Sequence, residues 1–384
     1  MSHTMPIEVF PPGEFIREEL EERGWTQDVL AEILGRSPRL VNEIISAKRA
    51  ITPETAMALA DAFGTSAQLW LNLESSYRLS QLRRSDSKVE RRSKIYSQAP
   101  VREMVRRGWI GSSADLDVLE RNVCAFLGID TIDDDPPIVP HAARKSTSYS
   151  EVTAAQRAWL IRAVALASMV EAEPFTERRL GRAYERLRGL LRSPEHVARV
   201  PGVLADGGVR LVVVEHLPQT RIDGAAFWIG AKSPVVALSL RYDRIDCFWH
   251  TLMHDLAHIK NGDVLWTDSS DSLLLDSDLV GSHRESGNDR PKCEERADRE
   301  AAGFLVSQPS LDAFICEVRP RYSKARIASF AKAEGVHPGL VVGQLQHRGE
   351  ISFAHSRDAL VKVRDRITSA TITDGWGNFV AVSR

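Results

Sequence analysis

Residues 27–45 read Gln27-Asp28-Val29-Leu30-Ala31-Glu32-Ile33-Leu34-Gly35-Arg36-Ser37-Pro38-Arg39-Leu40-Val41-Asn42-Glu43-Ile44-Ile45. Two short runs of helical spacing are separated by Gly35 and by Ser37-Pro38, residues that end one helix and cap the next. Ala31 is small, and with a tight turn at Gly35 it lets the two helices cross closely. That is helix-turn-helix geometry, with the second helix free to enter a major groove. Arg36, Ser37, Arg39 and Asn42 then lie near base edges, while Lys48 and Arg49 flank them as phosphate contacts. A helical bundle used only for protein contacts has the same spacing.

Outward from this stretch, residues 11–82 are punctuated at short intervals. Pro11-Pro12 opens a helix, Gly24 closes it, Thr26 caps the next, and Gly35, Thr52 and Gly64 continue the rhythm. Five helices are expected, with Phe15, Leu20, Val29, Leu30, Ile33, Val41, Ile44, Ile45, Met57, Leu59 and Leu69 facing a common core. Arg83 to Arg107 is a basic connector in which arginine and lysine outnumber Asp86, Glu90 and Glu103. A helical layer follows to about Arg192, interrupted at Asp133-Asp134-Asp135-Pro136-Pro137. After Pro201-Gly202 the period becomes strand-like over Val209–Glu215, Ala225–Ile229 and Pro234–Leu240.

A helix is then expected from about Asp243 to Lys260, stopped by Asn261-Gly262. It carries His254-Asp255-Leu256-Ala257-His258. Histidines four apart project from one face of a helix and can close on a single zinc ion. After a long Ser- and Asp-rich loop, Asp263 to Lys292, a second helix carries Glu294-x-x-x-Asp298. A glutamate completes a two-His, one-carboxylate set, and an acid one turn later can hold a ligating histidine from behind. Two histidines on a core helix without metal are the plainer reading of the pair. His250 and Cys293 stand beside these positions and are not read as ligands.

Bulk properties narrow the class. With 384 residues, 43% apolar and 27% charged, the chain has room for two or three separate cores. The formal net charge of −2 leaves any DNA-binding face to local patches; Glu14, Glu18, Glu19, Glu21 and Glu22 crowd one helix of the N-terminal bundle. The four cysteines, Cys124, Cys247, Cys293 and Cys316, lie far apart without a CxxC pair, which fits a reducing compartment. No signal-peptide pattern or long apolar run is present, so a cytoplasmic protein without membrane contact is expected.

Two resemblances add to this reading. Residues 11–79, PPGEFIREELEERGWTQDVLAEILGRSPRLVNEIISAKRAITPETAMALADAFGTSAQLWLNLESSYRL, resemble the HigA-type antitoxin domain over about 6–82. That resemblance implies an Xre-type, dimeric domain that binds double-stranded operator DNA. DGAAFWIGAKSPVVALSLRYDRIDCFWHTLMHDLAHI, EERADREAAGFLVSQ and FAKAEGVHPGLVVGQLQHRG resemble the ImmA/IrrE metallopeptidases over about 140–365. This second resemblance carries the zinc-ligand roles onto His254, His258 and Glu294, with Glu295 as the alternative third ligand. It places a general base at Asp255, where the family has the longer Glu.

The expected architecture is α+β. An all-α helix-turn-helix bundle (6–82) is followed by a basic helical connector (83–139), a zincin-like domain with a small sheet and metal-binding helices (140–365), and a tail (366–384). The expected function is an Xre-type regulator fused to a zinc metalloendopeptidase that cleaves a repressor, toxin or other partner under stress or phage signals. The alternative is a non-cleaving DNA-binding antitoxin or sensor. Strand Val235–Leu240, if at a sheet edge, would pair with an extended substrate.

Overall fold

The computed structural model describes residues 9–82, 87–136, 152–263, 273–277 and 292–380. The break expected between 139 and 140, and most of the loop expected from Asp263 to Lys292, lie outside the described residues. Two compact units are present, Met1–Arg91 and Arg92–Arg384.

The first unit is built from α1 (Pro12–Arg23), α2 (Gln27–Ile33), α3 (Pro38–Ile45), α4 (Pro53–Phe63) and α5 (Ala67–Leu82). Hydroxyls of Thr26, Ser37 and Thr52 accept the backbone N–H three residues on and so cap α2, α3 and α4. Gly24 and Gly64 take the left-handed conformation that ends α1 and α4. Ile16, Leu20, Leu30, Ala31, Val41, Ile44, Ile45, Leu59, Phe63 and Trp70 form the core. Val29, Ile33, Met57 and Leu69, expected in that core, are exposed. In α2 the reason is geometric: a seven-residue helix buries one stripe, Leu30 and Ala31, and leaves Val29 and Ile33 a turn apart outside it.

At the start of α1, a Cβ on Gly13 would lie 2.0 Å from the carbonyl oxygen of Ile45. The two backbones therefore approach as only glycine allows. Gly13→Ala is expected to destabilise this unit by about 1–3 kcal/mol, read as a lower urea midpoint. An unchanged midpoint would mean that the α1–α3 approach yields freely.

In the second unit, a five-stranded sheet holds β1 (Arg210–Val214), β2 (Ile222–Trp228), β3 (Pro234–Leu238), β4 (Leu273–Ser277) and β5 (Thr373–Asp374), ordered β4-β2-β3-β1-β5. β1 runs parallel to β3 and β5, while β2 runs antiparallel to β3 and β4. The sheet is mixed, and β3 lies inside it. The edge position on which substrate pairing by Val235–Leu240 depended is not met, because both sides of β3 already have partners. β4 falls within the stretch expected to be loop, where flanking Ser and Asp hide a five-residue run.

Helices cover both faces of the sheet. On one side are the part of α6 (Ser87–Gln98) from Arg92 onward, α7 (Val101–Arg106), α8 (Leu116–Leu127) and α9 (Ala154–Ala167); the rest are α10 (Glu177–Arg188), α11 (Val200–Asp206), α12 (Ile245–Asn261), α13 (Lys292–Leu305), α14 (Gln308–Val318), α15 (Lys324–Glu334), α16 (Pro338–His347) and α17 (Arg364–Thr368). Strand alternation sorts the core into two layers. Val212, Val214, Ala225, Phe227 and Val235 pack with Ile95, Met104, Val123 and Trp159. Leu211, Val213, Ala226 and Val236 pack with Leu204, Phe248, Leu252 and Leu256.

The basic stretch thus contributes Ile95, Val101 and Met104 to a core beneath its charged surface. At the other end, β5 extends the sheet, and Asp374 is buried against the Arg162 guanidinium while accepting from Trp109 Nε1 at 3.1 Å. Among the described residues, no helix is long and apolar enough to cross a membrane.

Candidate functional site

α12 packs on β2 and β3, and from Ile245 to Ile259 every residue except His250 is buried. That burial fixes the helix in rotation, so His254 and His258 share one face directed at α13. Their Nε2 atoms lie 3.0 Å apart. Glu294, in the first turn of α13, brings Oε2 to 3.2 Å from His254 Nε2 and Oε1 to 3.6 Å from His258 Nε2. His254 and His258 are fully buried and Glu294 nearly so.

The far side of each imidazole is also held. Asp298 Oδ1 lies 2.9 Å from His254 Nδ1, and Asp263 Oδ2 lies 3.0 Å from His258 Nδ1. A carboxylate only accepts, so each Nδ1 turns a proton toward its carboxylate and each ring turns Nε2 inward. Two ring nitrogens and a carboxylate then converge, the donor set that a metal cation takes. Zinc with bonds of about 2.0–2.2 Å in a tetrahedral set has ligand-to-ligand edges of about 3.3 Å. The separations of 3.0, 3.2 and 3.6 Å bracket that value, and the residues present fit the ion.

The neighbours take other places. Glu295 is exposed, and Cys293 is half-buried with its thiol pushed up by burial. His250 Nε2 is 4.0 Å from Asp298 Oδ1, and its ring stacks over His254 at 6.3 Å. Asp255 lies against β2: a Cβ on Gly224 would lie 2.5 Å from Asp255 Oδ2. Sequence reasoning missed Asp263. Its signal is position, the residue just past the Asn261-Gly262 stop.

In the first unit, Ala31 is fully buried where α2 meets α3, and Gly35 turns with φ of 62°. Arg36, Ser37, Arg39, Asn42, Lys48 and Arg49 are all exposed. Arg39, with 88% of its side chain exposed, donates from Nε to Glu43 Oε1 at 2.9 Å. That bond holds the Glu43 carboxyl below its ordinary pKa. Asn42 Nδ2 donates to Gln27 Oε1 at 3.2 Å, tying the second helix to the first. Ser37 is occupied as the cap of α3, its oxygen accepting from Leu40 N–H.

The helix-turn-helix family pattern matches residues 16–70. Virulence-associated protein I of Dichelobacter nodosus is 45% identical over 69 residues, which is 18% of this chain and 64% of that protein. This chain therefore spans just under two thirds of that relative. The HTH-type transcriptional regulator YddM of Escherichia coli is 33% identical over 70 residues, 18% of this chain and 74% of its own length. The chain belongs to the helix-turn-helix family. A solved structure of Pseudomonas aeruginosa antitoxin HigA with the higBA promoter is 38% identical, covers 20% of this chain and 83% of that one, and has a TM-score of 0.19. In this helix-turn-helix chain, the matched span runs from α1 into the first turn of α5, and α3 is its exposed second helix.

Proposed function

We propose that this chain is an Xre-type, antitoxin-like regulator that binds operator DNA as a homodimer, and that its second unit is a zincin-like peptidase domain acting on a repressor, toxin or other partner protein. The observation that carries the second half is the convergence of three lone-pair donors with a carboxylate behind each imidazole. His254, His258 and Glu294 would hold zinc. When bound, zinc polarises a carbonyl and lowers the pKa of water toward about 7. Asp298 keeps the His254 ring in the tautomer that offers Nε2 inward. Asp255 takes the general-base position, accepting a proton from the attacking water. Incubation with a proteome-derived peptide mixture, read by mass spectrometry with and without chelator, tests the reading: zinc-dependent new termini support it.

A specific observation favours a non-cleaving regulator as the second reading. The Asp255 carboxylate is fully buried against Gly224, and it is one methylene shorter than the family's Glu. A base must come within about 2.6–3.2 Å of the proton it removes.

The DNA half has its own test. Arg39→Ala and Asn42→Ala are expected to weaken binding to the DNA upstream of the chain's own gene by about 1–3 kcal/mol each, whereas Lys48→Ala weakens all duplexes alike. Fluorescence anisotropy on specific and random duplexes reads both. Equal losses on both duplexes for every variant would remove direct readout by α3.

A further inference from the structure

The end of α12 is a Schellman turn built on a proposed metal ligand. Gly262, with φ of 70°, donates its N–H to Ile259 O at 3.3 Å, and Asp263 N–H donates to His258 O at 3.1 Å. This is the paired bonding of a helix that stops at a left-handed glycine. It brings the chain back over the last turn, so the residue after glycine sits above the residue five before it. Here those residues are Asp263 and His258. The backbone of Asp263 holds the carbonyl of His258 while its carboxylate holds the ring of the same histidine, 3.0 Å from Nδ1. The other carboxylate oxygen is bound by Arg296 of α13, two residues from Glu294.

We propose that Gly262, Asp263 and Arg296 form a positioning unit for the metal centre, with the helix stop aiming Asp263 at His258 and Arg296 locking it to the helix that supplies Glu294. The inference rests on the zinc reading above. A carboxylate accepting from Nδ1–H fixes the tautomer and makes Nε2 a stronger donor. Asp298 does this for His254 from α13. Asp263 does it for His258 from α12's own end, and the Arg296 bond joins the two helices at that point.

Zinc affinity of the full chain, measured by competition with a chromophoric chelator, tests the unit. The absorption spectrum of the cobalt-substituted protein supplies a second readout. Asp263→Ala is expected to weaken zinc binding by about 10–100-fold. Asp263→Asn, which still accepts from Nδ1–H but carries no charge, should lose less. Gly262→Ala is disfavoured at positive φ and should follow Asp263→Ala, while Gly262→Asn, which tolerates that region, should recover most of the affinity. Gly335→Ala breaks the same kind of stop on α15, where φ is 72°, and should leave affinity and cobalt spectrum alone. Wild-type affinity in both Asp263 variants, with zinc bound normally by the parent, would overturn the positioning unit. Absence of zinc binding by the parent itself would instead overturn the metal reading on which the unit rests.

Discussion

The purified chain is expected to carry about one zinc per molecule, and His258→Ala and Glu294→Ala none, because a two-His, one-carboxylate set that loses a member no longer holds the ion against water. The effect on stability should depend on metal. When free zinc exceeds the dissociation constant about 100-fold, binding stabilises the native state by about 2.7 kcal/mol. For a unit running from Arg92 to Arg384, that corresponds to a thermal midpoint higher by about 4–5 °C, which chelator should remove. In chelator Glu294→Ala should be about as stable as the parent, whereas His258→Ala, which empties a fully buried position, should be less stable. Glu294 stands 3.2 and 3.6 Å from two imidazole nitrogens, and its burial serves that cluster rather than the apolar core. Elemental analysis and paired melts with zinc and with EDTA measure both effects. Parent and variants with equal zinc content, or a parent melt indifferent to EDTA, would reduce the cluster to a packing arrangement between α12 and α13.

How much of this was legible in the sequence depends on whether the signal was local. Ala31, Gly35 and Ser37-Pro38 fix a turn and two caps within a dozen residues, and the helices they delimit form where expected. The pairs His254/His258 and Glu294/Asp298 are each one turn apart, so shared faces followed from spacing alone. That the two faces meet is a tertiary fact, reached across 36 residues that spacing does not address. Asp263 was missed because its role comes from the return of the chain at Gly262, where position relative to a helix stop matters more than periodicity. Val29 and Ile33 were misplaced because a two-turn helix offers too few positions for spacing to tell its buried stripe from its neighbour. Ile222 to Gly224 of β2 was passed over because Asp and Gly are weak strand formers, yet Gly224 is needed where α12 lies against that strand. Arg83 to Arg107 shows the opposite bias: its many charges drew attention away from Ile95, Val101 and Met104, which decide where that segment packs.

Asp255→Glu, which restores the residue that the metallopeptidases have, is expected to lower cleavage and stability in this chain. On sequence grounds the substitution could act in either direction, since the longer side chain regains reach. Packing decides against the gain. Asp255 is fully buried, and the point where a Gly224 Cβ would sit is 2.5 Å from its Oδ2 and 2.8 Å from Thr251 Cγ2. The helix and strand have closed around an aspartate over a glycine. An added methylene in a filled interior costs about 1–3 kcal/mol and displaces the carboxylate from the position the surroundings set for it. Asp255→Ala should remove about 10²–10⁴-fold of the cleavage rate as the loss of a positioned base. Gly224→Ala, which pushes on the same carboxylate from the strand side, should lower cleavage with zinc still bound. Rates on the peptides that the parent cleaves, read beside zinc content, separate these effects. A rise of 10²-fold or more in Asp255→Glu would show that the α12–β2 contact yields and that the short side chain is a deficit. No cleavage by the parent or any variant, with zinc bound and operator binding intact, would leave the non-cleaving regulator, with Asp255 serving the packing of α12 on β2.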